Sequence, residues 1–332
     1  MRPMRSLLVA LLLFGINGVA SALEPIGIAL EGYPYPYDVQ YHEIPAHSGP
    51  LSMAFMDVQP ATPNGETVVL LHGKNFCGAY WGETAADLSK AGYRVVIPDQ
   101  IGFGKSSKPI DYPFSFPALA SNTQALLKAQ GVEKAIILGH SMGGMVASRF
   151  ALMFPETTTK LVLVNPIGLE DWQAKGVPYR SVDEWYGREL KKSFEGIKKY
   201  QLNSYYDGVW KDEYDPWVEL LARMTLSPEY PQLARVQALT YDMIYTQPVI
   251  HEFPNIQAPT LLIIGGRDTT ALGKDMVDDA KRATLGQYPQ LGKAAAKAIP
   301  QGKLVLLDGV GHLPHIETYD RFIQPLLDFL DR

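Results

Sequence analysis

The sequence predicts an α/β fold built on a mostly parallel, doubly wound sheet. Apolar runs of strand length alternate along the chain with stretches of helical periodicity, an alternation typical of such sheets. Three of these runs end in turns that contain a serine, an aspartate or a histidine, at the edge where α/β sheets place their chemistry. With 332 residues, 46% of them hydrophobic, the chain can bury one large core.

The strands and helices are expected in the following order. Residues 39–46 and 51–58 are predicted to be antiparallel leading strands, joined through His47-Ser48-Gly49-Pro50. Further strands are predicted at 67–72, 94–98, 135–139, 160–164, 260–265 and 303–307. Helices are predicted near 80–91 and 116–130, from about 142 to 154, near 293–298, and over 317–330, where the pattern is amphipathic.

The pattern changes between Asn165 and about Pro254. Continuous apolar strands are absent there, and aromatic and charged residues dominate. We predict a helical cap over residues 166–254, inserted after the sixth strand between two core segments, 23–165 and 255–332. Its aromatic side chains would either form an apolar wall for a substrate or pack the cap onto the core. They are Trp172, Tyr179, Trp185, Tyr186, Tyr200, Tyr205, Tyr206, Trp210, Tyr214, Trp217, Tyr241 and Tyr245.

A nucleophilic serine is predicted at the turn Gly139-His140-Ser141-Met142-Gly143. The turn follows an apolar strand and leads into a helix, a context that strains the central residue and exposes its Oγ. Glycines at 139 and 143 are needed because a Cβ there would collide with the neighbouring strand and helix. The start of the helix also directs free N–H groups towards developing negative charge. Ser141 is therefore the predicted nucleophile.

The base and the acid are predicted downstream, in the chain order Ser, Asp, His. His312 follows the strand at 303–307 within a Gly-bracketed loop, which favours it as the base. His315 is interpreted as a packing or capping residue, and His251 has no strand to position it. Asp268 follows Gly265-Gly266-Arg267 at the end of another strand and is the predicted acid. A turn or N-cap role for Asp268 is compatible with this one.

An oxyanion hole is predicted from two backbone N–H groups. One belongs to Met142, the residue after the nucleophile, and the other to the loop after the third strand. Lys74 is the first candidate for this second donor and Asn75 the next, whereas His72 is interpreted as a brace of the backbone. The Lys74 side chain would either favour substrates with a carboxylate or point to solvent; we expect the second.

These motifs resemble the α/β-hydrolase superfamily, in its serine-nucleophile, capped branch. The resemblance rests on His72-Gly73, the 99–106 loop, the turn around Ser141, Gly265-Gly266-Arg267-Asp268 and Gly311-His312, and it extends from about residue 68 to the C-terminus. It implies the α/β-hydrolase fold, an eight-stranded, mostly parallel sheet with helices on both faces and a lid over the site. It also implies that Asp99 has a structural role. Serine at the nucleophile position argues against the dehalogenase and epoxide-hydrolase branches, which use a carboxylate.

The predicted function is hydrolysis of carboxylic esters with small to medium apolar acyl groups, through an acyl-enzyme on Ser141. Cleavage of C–C bonds in vinylogous diketones and aminopeptidase activity use the same triad and are alternatives. Serine haloperoxidases also resemble the chain. A ligand-binding protein that keeps the triad without turnover is the hypothesis from a different class.

Composition narrows the range of partners. The net charge of −5 and the lack of a basic stripe argue against nucleic acid. We expect a small-molecule substrate, no metal or organic cofactor, and a monomer or small homo-oligomer. Cys77 is the only cysteine, so no internal disulfide is possible, and it is interpreted as a packing residue more readily than as a reactive thiol.

The N-terminus predicts export. Residues 1–22 combine a basic start, an apolar stretch over 7–14 and the small-residue sequence Ala20-Ser21-Ala22, as in a secretory signal peptide cleaved after Ala22. The alternative is an uncleaved anchor, for which the apolar stretch is short. We expect a periplasmic or secreted protein with no membrane span in the mature chain.

Overall fold

One sheet of eight strands organises the molecule. The structure is a computed structural model that describes residues 23–47 and 49–331, so the predicted signal peptide lies outside the described residues. The strand order is β1-β2-β4-β3-β5-β6-β7-β8, with antiparallel pairing of β1 with β2 and of β2 with β4, and parallel pairing elsewhere. The strands are β1 (Val39–Ile44), β2 (Leu51–Val58), β3 (Thr67–Leu71), β4 (Arg94–Pro98), β5 (Ala135–His140), β6 (Thr158–Val164), β7 (Thr260–Gly265) and β8 (Gly302–Leu307).

The central strands are buried on both faces. Every residue of β3, β5 and β7 is buried, as expected for parallel strands covered by helices. Successive side chains of β3 enter opposite cores: Val69 and Leu71 pack on one side of the sheet, and Val68 and Leu70 on the other. This division confirms the predicted doubly wound sheet.

Seven helices belong to the sheet-forming part of the described chain. Those packed on the sheet are close to the predicted ranges, but α9 is longer than predicted and β1 ends earlier, because Pro45 cannot donate to the β1–β2 ladder. The helices are α1 (Gly82–Lys90), α2 (Phe116–Ala129), α3 (Met142–Met153), α8 (Asp279–Arg282), α9 (Tyr288–Ala298), α10 (Pro314–Glu317) and α11 (Tyr319–Leu330).

The stretch between β6 and β7 is helical, as predicted for residues 166–254, which we call the insertion. It carries α4 (Val182–Glu189), α5 (Phe194–Ser204), α6 (Asp215–Thr225) and α7 (Tyr230–Thr246). A capping box between Ser181 and Glu184 starts α4. Stacked aromatic pairs hold the insertion together: the ring centres of Tyr206 and Tyr214 are 3.7 Å apart, and those of Trp185 and Tyr241 are 4.2 Å apart.

The N-terminal segment, residues 23–38, contacts both the insertion and the core. On the insertion side, the N–H of Ile26 donates to the carbonyl of Arg223 at 3.2 Å, and Arg223 Nε donates to the carbonyl of Glu24 at 2.8 Å. On the core side, the Tyr35 hydroxyl donates to the Asp99 carboxylate at 2.7 Å. No helix of the described part of the chain combines the length and hydrophobicity needed to cross a bilayer.

Candidate active site

Ser141 lies in a strained turn between β5 and α3. Its φ of 56° is in the region that residues with a Cβ rarely adopt, and this conformation turns the side chain away from both elements. A Cβ at Gly139 would lie 2.1 Å from the carbonyl oxygen of Gly143, and one at Gly143 would lie 2.3 Å from the carbonyl oxygen of Leu71. The predicted reason for both glycines is therefore confirmed.

The structure brings together the three side chains predicted to act in sequence. His312 Nε2 is 3.0 Å from Ser141 Oγ, and His312 Nδ1 is 2.6 Å from Asp268 Oδ2. Asp268 follows β7 and His312 follows β8, so adjacent parallel strands deliver both to one edge of the sheet. A carboxylate only accepts hydrogen bonds, so Nδ1 carries the proton and Nε2 is free to accept the Ser141 hydroxyl.

Asn165 positions the acid and was not predicted. Its Nδ2 donates to Asp268 Oδ2 at 2.8 Å, and its Oδ1 accepts the N–H of Gly265 at 2.9 Å. Asp268 Oδ1 accepts the N–H of Thr270 at 2.8 Å, so both carboxylate oxygens are held. A signal for Asn165 exists in the sequence: it is a polar residue directly after buried strand β6, at the same edge of the sheet.

His140 contacts the backbone of the base, His312, and this role was not predicted either. Gly73 N–H donates to the Tyr80 hydroxyl at 2.9 Å, the hydroxyl donates to His140 Nδ1 at 3.0 Å, and His140 Nε2–H donates to the His312 carbonyl at 2.9 Å. Burial, followed by the neighbouring histidines, holds the pKa of His140 well below its usual value. A neutral His140 therefore connects the loop after β3 to the backbone of His312.

An ion pair joins the two loops that carry the acid and the base. Arg267, next to Asp268, pairs with Glu317 of α10. The other carboxylate oxygen of Glu317 accepts the N–H of Gly311, next to His312, at 2.7 Å. Burial is the largest influence on Glu317 and raises the pKa of its carboxyl, while the Gly311 N–H and Arg267 oppose it. Glu317 thus fixes the spacing between the loops.

The other histidines have the roles expected of them. His315 is buried and stacks on Trp81 with ring centres 4.5 Å apart, and burial lowers its pKa to about 3. His251 is exposed and pairs with Asp171 at 2.8 Å. His72 accepts the N–H of Gln100 at 3.0 Å and donates from Nδ1 to the carbonyl of Gly73 at 2.9 Å, so it braces the backbone as predicted.

The candidate oxyanion donors lie beside Ser141. A Cβ on Gly73 would be 3.0 Å from the Cβ of Ser141, which places the start of the Lys74 loop against the serine. Met142 is the first residue of α3, so its N–H has no partner within the helix. Among residues 23–47 and 49–331, neither the Lys74 N–H nor the Met142 N–H donates to a protein acceptor. Both remain available to a substrate oxygen.

The expectation that the Lys74 side chain points to solvent is wrong. The residue is 8% exposed; its ammonium donates to Oε1 of Gln237 at 2.6 Å and lies 3.7 Å from the ring centre of Tyr241. Both partners belong to α7 of the insertion, which covers the loop and prevents the side chain from reaching water. Burial lowers the pKa of Lys74 to about 7, against the opposing influence of Glu189.

A cleft of about 690 Å³, the outer cleft, opens between α4 and α5 of the insertion and the 269–275 loop after β7. It reaches the candidate site at Asn75 and Thr269. Neither Ser141 nor His312 lines this cleft. The Tyr205 ring stacks on His312 with centres 4.8 Å apart, and its hydroxyl accepts from Nδ2 of Asn75 at the cleft wall at 2.9 Å. Ser141 is accordingly only 7% exposed.

Only part of the aromatic set faces this cleft. Trp185, Tyr200 and Tyr241 line it, whereas Tyr206 and Tyr214 belong to a buried cluster that includes Val310 and Phe322 of the sheet-forming part. Part of the set thus packs the insertion onto the core, and a role of the other part as a wall for a substrate stays a prediction. Cys77 packs with Leu30 and Leu220, and burial raises the pKa of its thiol to about 12, which agrees with a packing role.

A family model described as the α/β-hydrolase fold matches residues 66–319 of the chain. The chain belongs to the α/β-hydrolase fold family. A crystal structure of a probable hydrolytic enzyme from Pseudomonas aeruginosa PAO1 is 52% identical, superimposes with a TM-score of 0.91, and is matched over 93% of this chain and 99% of that one.

Curated relatives of this α/β hydrolase are enzymes of more than one activity. Lipase 1 of Psychrobacter immobilis is 28% identical over 77% of this chain and 74% of its own length. A 2-hydroxy-6-oxononadienedioate/2-hydroxy-6-oxononatrienedioate hydrolase of Comamonas testosteroni is 28% identical over 80% of this chain and 88% of its own. The protein is therefore an enzyme of the hydrolase class.

Proposed function

We propose that the protein is a serine hydrolase that cleaves carboxylic esters of small to medium apolar acyl groups through an acyl-enzyme on Ser141. The observation that carries the proposal is the unbroken hydrogen-bonded line from Ser141 Oγ through His312 to Asp268. The similarity to Lipase 1 of Psychrobacter immobilis also supports an ester substrate.

In the acylation step, His312 Nε2 takes the proton of Ser141 as Oγ bonds to the ester carbonyl carbon. The carbonyl oxygen becomes an oxyanion and accepts hydrogen bonds from the backbone N–H groups of Lys74 and Met142. One such donor typically contributes about 3 kcal/mol to transition-state stabilisation. Asp268 stabilises the imidazolium of His312 without taking its proton.

Collapse of the tetrahedral intermediate breaks the bond to the alcohol oxygen, which leaves with the proton from His312 Nε2. A water molecule then gives a proton to the same nitrogen and attacks the acyl carbonyl. Collapse of the second intermediate breaks the bond from the acyl carbon to Ser141 Oγ, which takes the proton from His312 Nε2, and the carboxylic acid is released. Asn165 and His140 position the acid and the base through both half-reactions.

We propose that the insertion, residues 166–254, acts as a cap over this site. The stack of Tyr205 on His312 and the contact between Lys74 and α7 support this assignment. Since Ser141 is nearly inaccessible, a substrate would enter through the outer cleft only after Tyr205 moves. The assignment predicts that a Tyr205→Ala enzyme is labelled faster than wild type by an active-serine probe; an equal labelling rate would contradict it.

Hydrolysis of C–C bonds is the second candidate function. It is supported by the Comamonas testosteroni relative, which is named as a 2-hydroxy-6-oxononadienedioate/2-hydroxy-6-oxononatrienedioate hydrolase. The same serine, base and acid could serve this reaction. Aminopeptidase activity is a further use of the triad that no contact in the site favours.

A fluorophosphonate probe tests the proposal. We expect stoichiometric labelling of the mature protein at Ser141, located by mass mapping, and hydrolysis of p-nitrophenyl esters that favours short acyl chains. A Ser141→Ala enzyme should lose both properties. Labelling at Ser141 without turnover of any ester would favour the C–C alternative, and absence of labelling would contradict a serine hydrolase.

We also propose export to the periplasm or the medium, on the strength of residues 1–22 alone. Mass spectrometry of the protein recovered from the periplasmic fraction should show an N-terminus at Leu23. Recovery of the full-length chain from the cytoplasm would contradict this prediction.

A further inference from the structure

A small inner pocket of about 50 Å³ lies behind the oxyanion loop and continues the outer cleft. The two cavities share Asn75, Glu189 and Lys192 on their walls. Apolar side chains line most of the inner pocket, and Lys74 and Gln237 are among its polar groups. The Lys74 ammonium thus lies between Gln237, which lines the inner pocket, and Tyr241, which lines the outer cleft.

The ammonium of Lys74 has no carboxylate partner within the described residues. Its contacts are the neutral amide of Gln237 and the face of Tyr241. The carboxylate of Glu189 is also buried and favours the charged form of Lys74, but its ion-pair partner is Lys192 at 2.8 Å, so two ammonium groups share one carboxylate. Burial disfavours the charged form of Lys74 and lowers its pKa to about 7, so an anion bound in the adjoining cavity would stabilise the ammonium.

Gln201 is a second group without a partner at this cavity. The residue is 1% exposed and lines the outer cleft, yet neither Oε1 nor Nε2 of its amide is hydrogen-bonded within the described chain. Buried side-chain amides are normally hydrogen-bonded. The amide of Gln201 is therefore available to donate to a ligand.

The charge of the cleft is opposite in sign to that of the whole chain. Its walls carry four basic residues, Arg188, Lys191, Lys192 and Lys274, and two acidic ones, Glu189 and Asp275, so two positive charges are in excess. The full sequence has a net charge of −5. A cationic cleft with low-dielectric walls attracts anions and raises their local concentration.

We propose that Lys74, Lys192 and Gln201, which we call the anion subsite, bind a carboxylate carried by the acyl part of the substrate. The substrate class is then a monoester of a short dicarboxylic acid, or an equivalent acyl compound with a free carboxylate. This inference rests on the proposed function and specifies its substrate. The small volume of the inner pocket favours a short acyl chain over a long apolar one.

Ethyl esters test the proposal, because a monoethyl ester carries the free carboxylate and the matching diethyl ester does not. The ratio of kcat/KM for the two is measured by ethanol release with succinate, glutarate and adipate esters. We expect wild type to prefer at least one of the monoethyl esters. Lys74→Met should reduce that preference about 10- to 100-fold, the usual effect of losing a hydrogen bond to a charged group.

Lys74→Met keeps the backbone N–H assigned to the oxyanion hole, so the ratio isolates the ammonium. Lys192→Met and Gln201→Leu should lower the same ratio. If Lys74→Met does not fold, Lys192→Met takes its place as the test of the anion subsite. Lys293→Met is the matched control, since Lys293 is exposed on α9 and lines neither cavity. Preference for every diethyl ester, or a ratio equal to wild type in all three variants, would overturn the proposal.

Binding separates this inference from the proposed function. Ester hydrolysis that depends on Ser141 but shows no monoester preference would refute the anion subsite alone. If no ester is cleaved, isothermal titration of glutarate into the Ser141→Ala protein tests the anion subsite directly. Binding that Lys74→Met weakens about tenfold or more would support the subsite without ester turnover; absence of glutarate binding would overturn it.

Discussion

The two sides of the cleft hold their polar side chains in different ways. On the sheet side, the carboxylate of Asp268 accepts three hydrogen bonds, and His312 is bonded through both ring nitrogens and its carbonyl. On the insertion side, the side-chain amide of Gln201 has no hydrogen-bond partner among the described residues, and Arg188 is half exposed beside Asp275. The sheet side is preorganised, whereas the insertion side has bonding capacity left for a ligand.

This difference indicates a division of labour between the two sides. Strand ends in a fully bonded sheet can fix reacting groups within fractions of an ångström, as bond making requires. Substitutions in helices that are joined by surface ion pairs cost little stability. We therefore expect substitutions on the sheet side to reduce kcat strongly, and those on the insertion side to change substrate preference and KM.

The largest effect is expected from Ser141→Ala on the sheet side. Loss of the nucleophile should lower kcat by about 10⁵-fold or more, because no other group is placed to form the acyl-enzyme. Steady-state ester hydrolysis and probe labelling measure it. Ser121→Ala, an exposed serine of α2, is the control and should match wild type. Residual activity within tenfold of wild type would mean that another residue is the nucleophile.

Asp268→Asn is expected to lower kcat about 10³- to 10⁴-fold. The amide would place a donor where Asp268 now accepts from both His312 and Asn165, and the imidazole would lose its orientation and its counter-charge. The measurement is kcat with an activated ester. Asp308→Asn, an exposed carboxylate near the same loop, provides the comparison and should stay within twofold of wild type.

Tyr80→Phe tests whether the support behind His312 matters. It removes the hydroxyl between Gly73 N–H and His140 Nδ1, leaving two buried polar groups without a partner. We expect unfolding free energy to fall by about 1–3 kcal/mol and kcat to fall about tenfold. Denaturant melts and kinetics measure the two effects, with exposed Tyr41→Phe as control. An unchanged kcat would restrict this chain of hydrogen bonds to stability.

The pH dependence of stability in Lys74→Met tests whether the Lys74 ammonium on the insertion side is buried. The pKa of Lys74 is about 7 in the folded protein, below its ordinary value of 10.5, so the unfolded chain binds more protons between these pH values. Wild type should therefore gain stability relative to the variant as pH rises from about 7 to 10.5. Urea melts of both proteins at pH 6 and pH 10 measure the difference. A constant difference would show that the ammonium is not buried.

The smallest effect is expected from Arg188→Ala on the insertion side. Its ion pair with Asp275, at 3.0 Å, joins two exposed side chains and should contribute less than about 1 kcal/mol to stability. We expect an unchanged melting temperature, a kcat within twofold, and a KM for monoethyl esters that rises less than tenfold and depends on salt. A large fall in kcat would contradict the division between the two sides.

The fold and the reacting groups could be predicted because their signals are local. Buried parallel strands are continuous apolar runs whose carboxyl ends converge on one edge. This rule, the turn around Ser141 and the chain order Ser, Asp, His placed Ser141, Asp268 and His312 together. The glycines at 139 and 143 indicated a turn too tight for a Cβ. None of these inferences needed a contact between distant segments.

The supporting groups could not be predicted, because their roles depend on such contacts. Lys74 turns inward because Gln237, 163 residues later, covers it, and no local pattern records that approach. His140 hydrogen-bonds the backbone carbonyl of His312, which lies 172 residues later in the chain. The arrangement of Tyr205 over His312 likewise requires the tertiary packing of the insertion.

The N-terminal segment determines which part of the insertion can move. Backbone hydrogen bonds of Ile26 and Glu24 tie it to Arg223 at the end of α6, while Leu30 packs with Leu220 of the same helix. Tyr35 and Lys105 attach the same segment to the core. A rigid swing of the whole insertion about residues 165 and 254 would have to break either the contacts of this segment with α6 or its contacts with the core. If the insertion opens as the proposed cap, we therefore expect α4 and α5 to move while α6 stays in place.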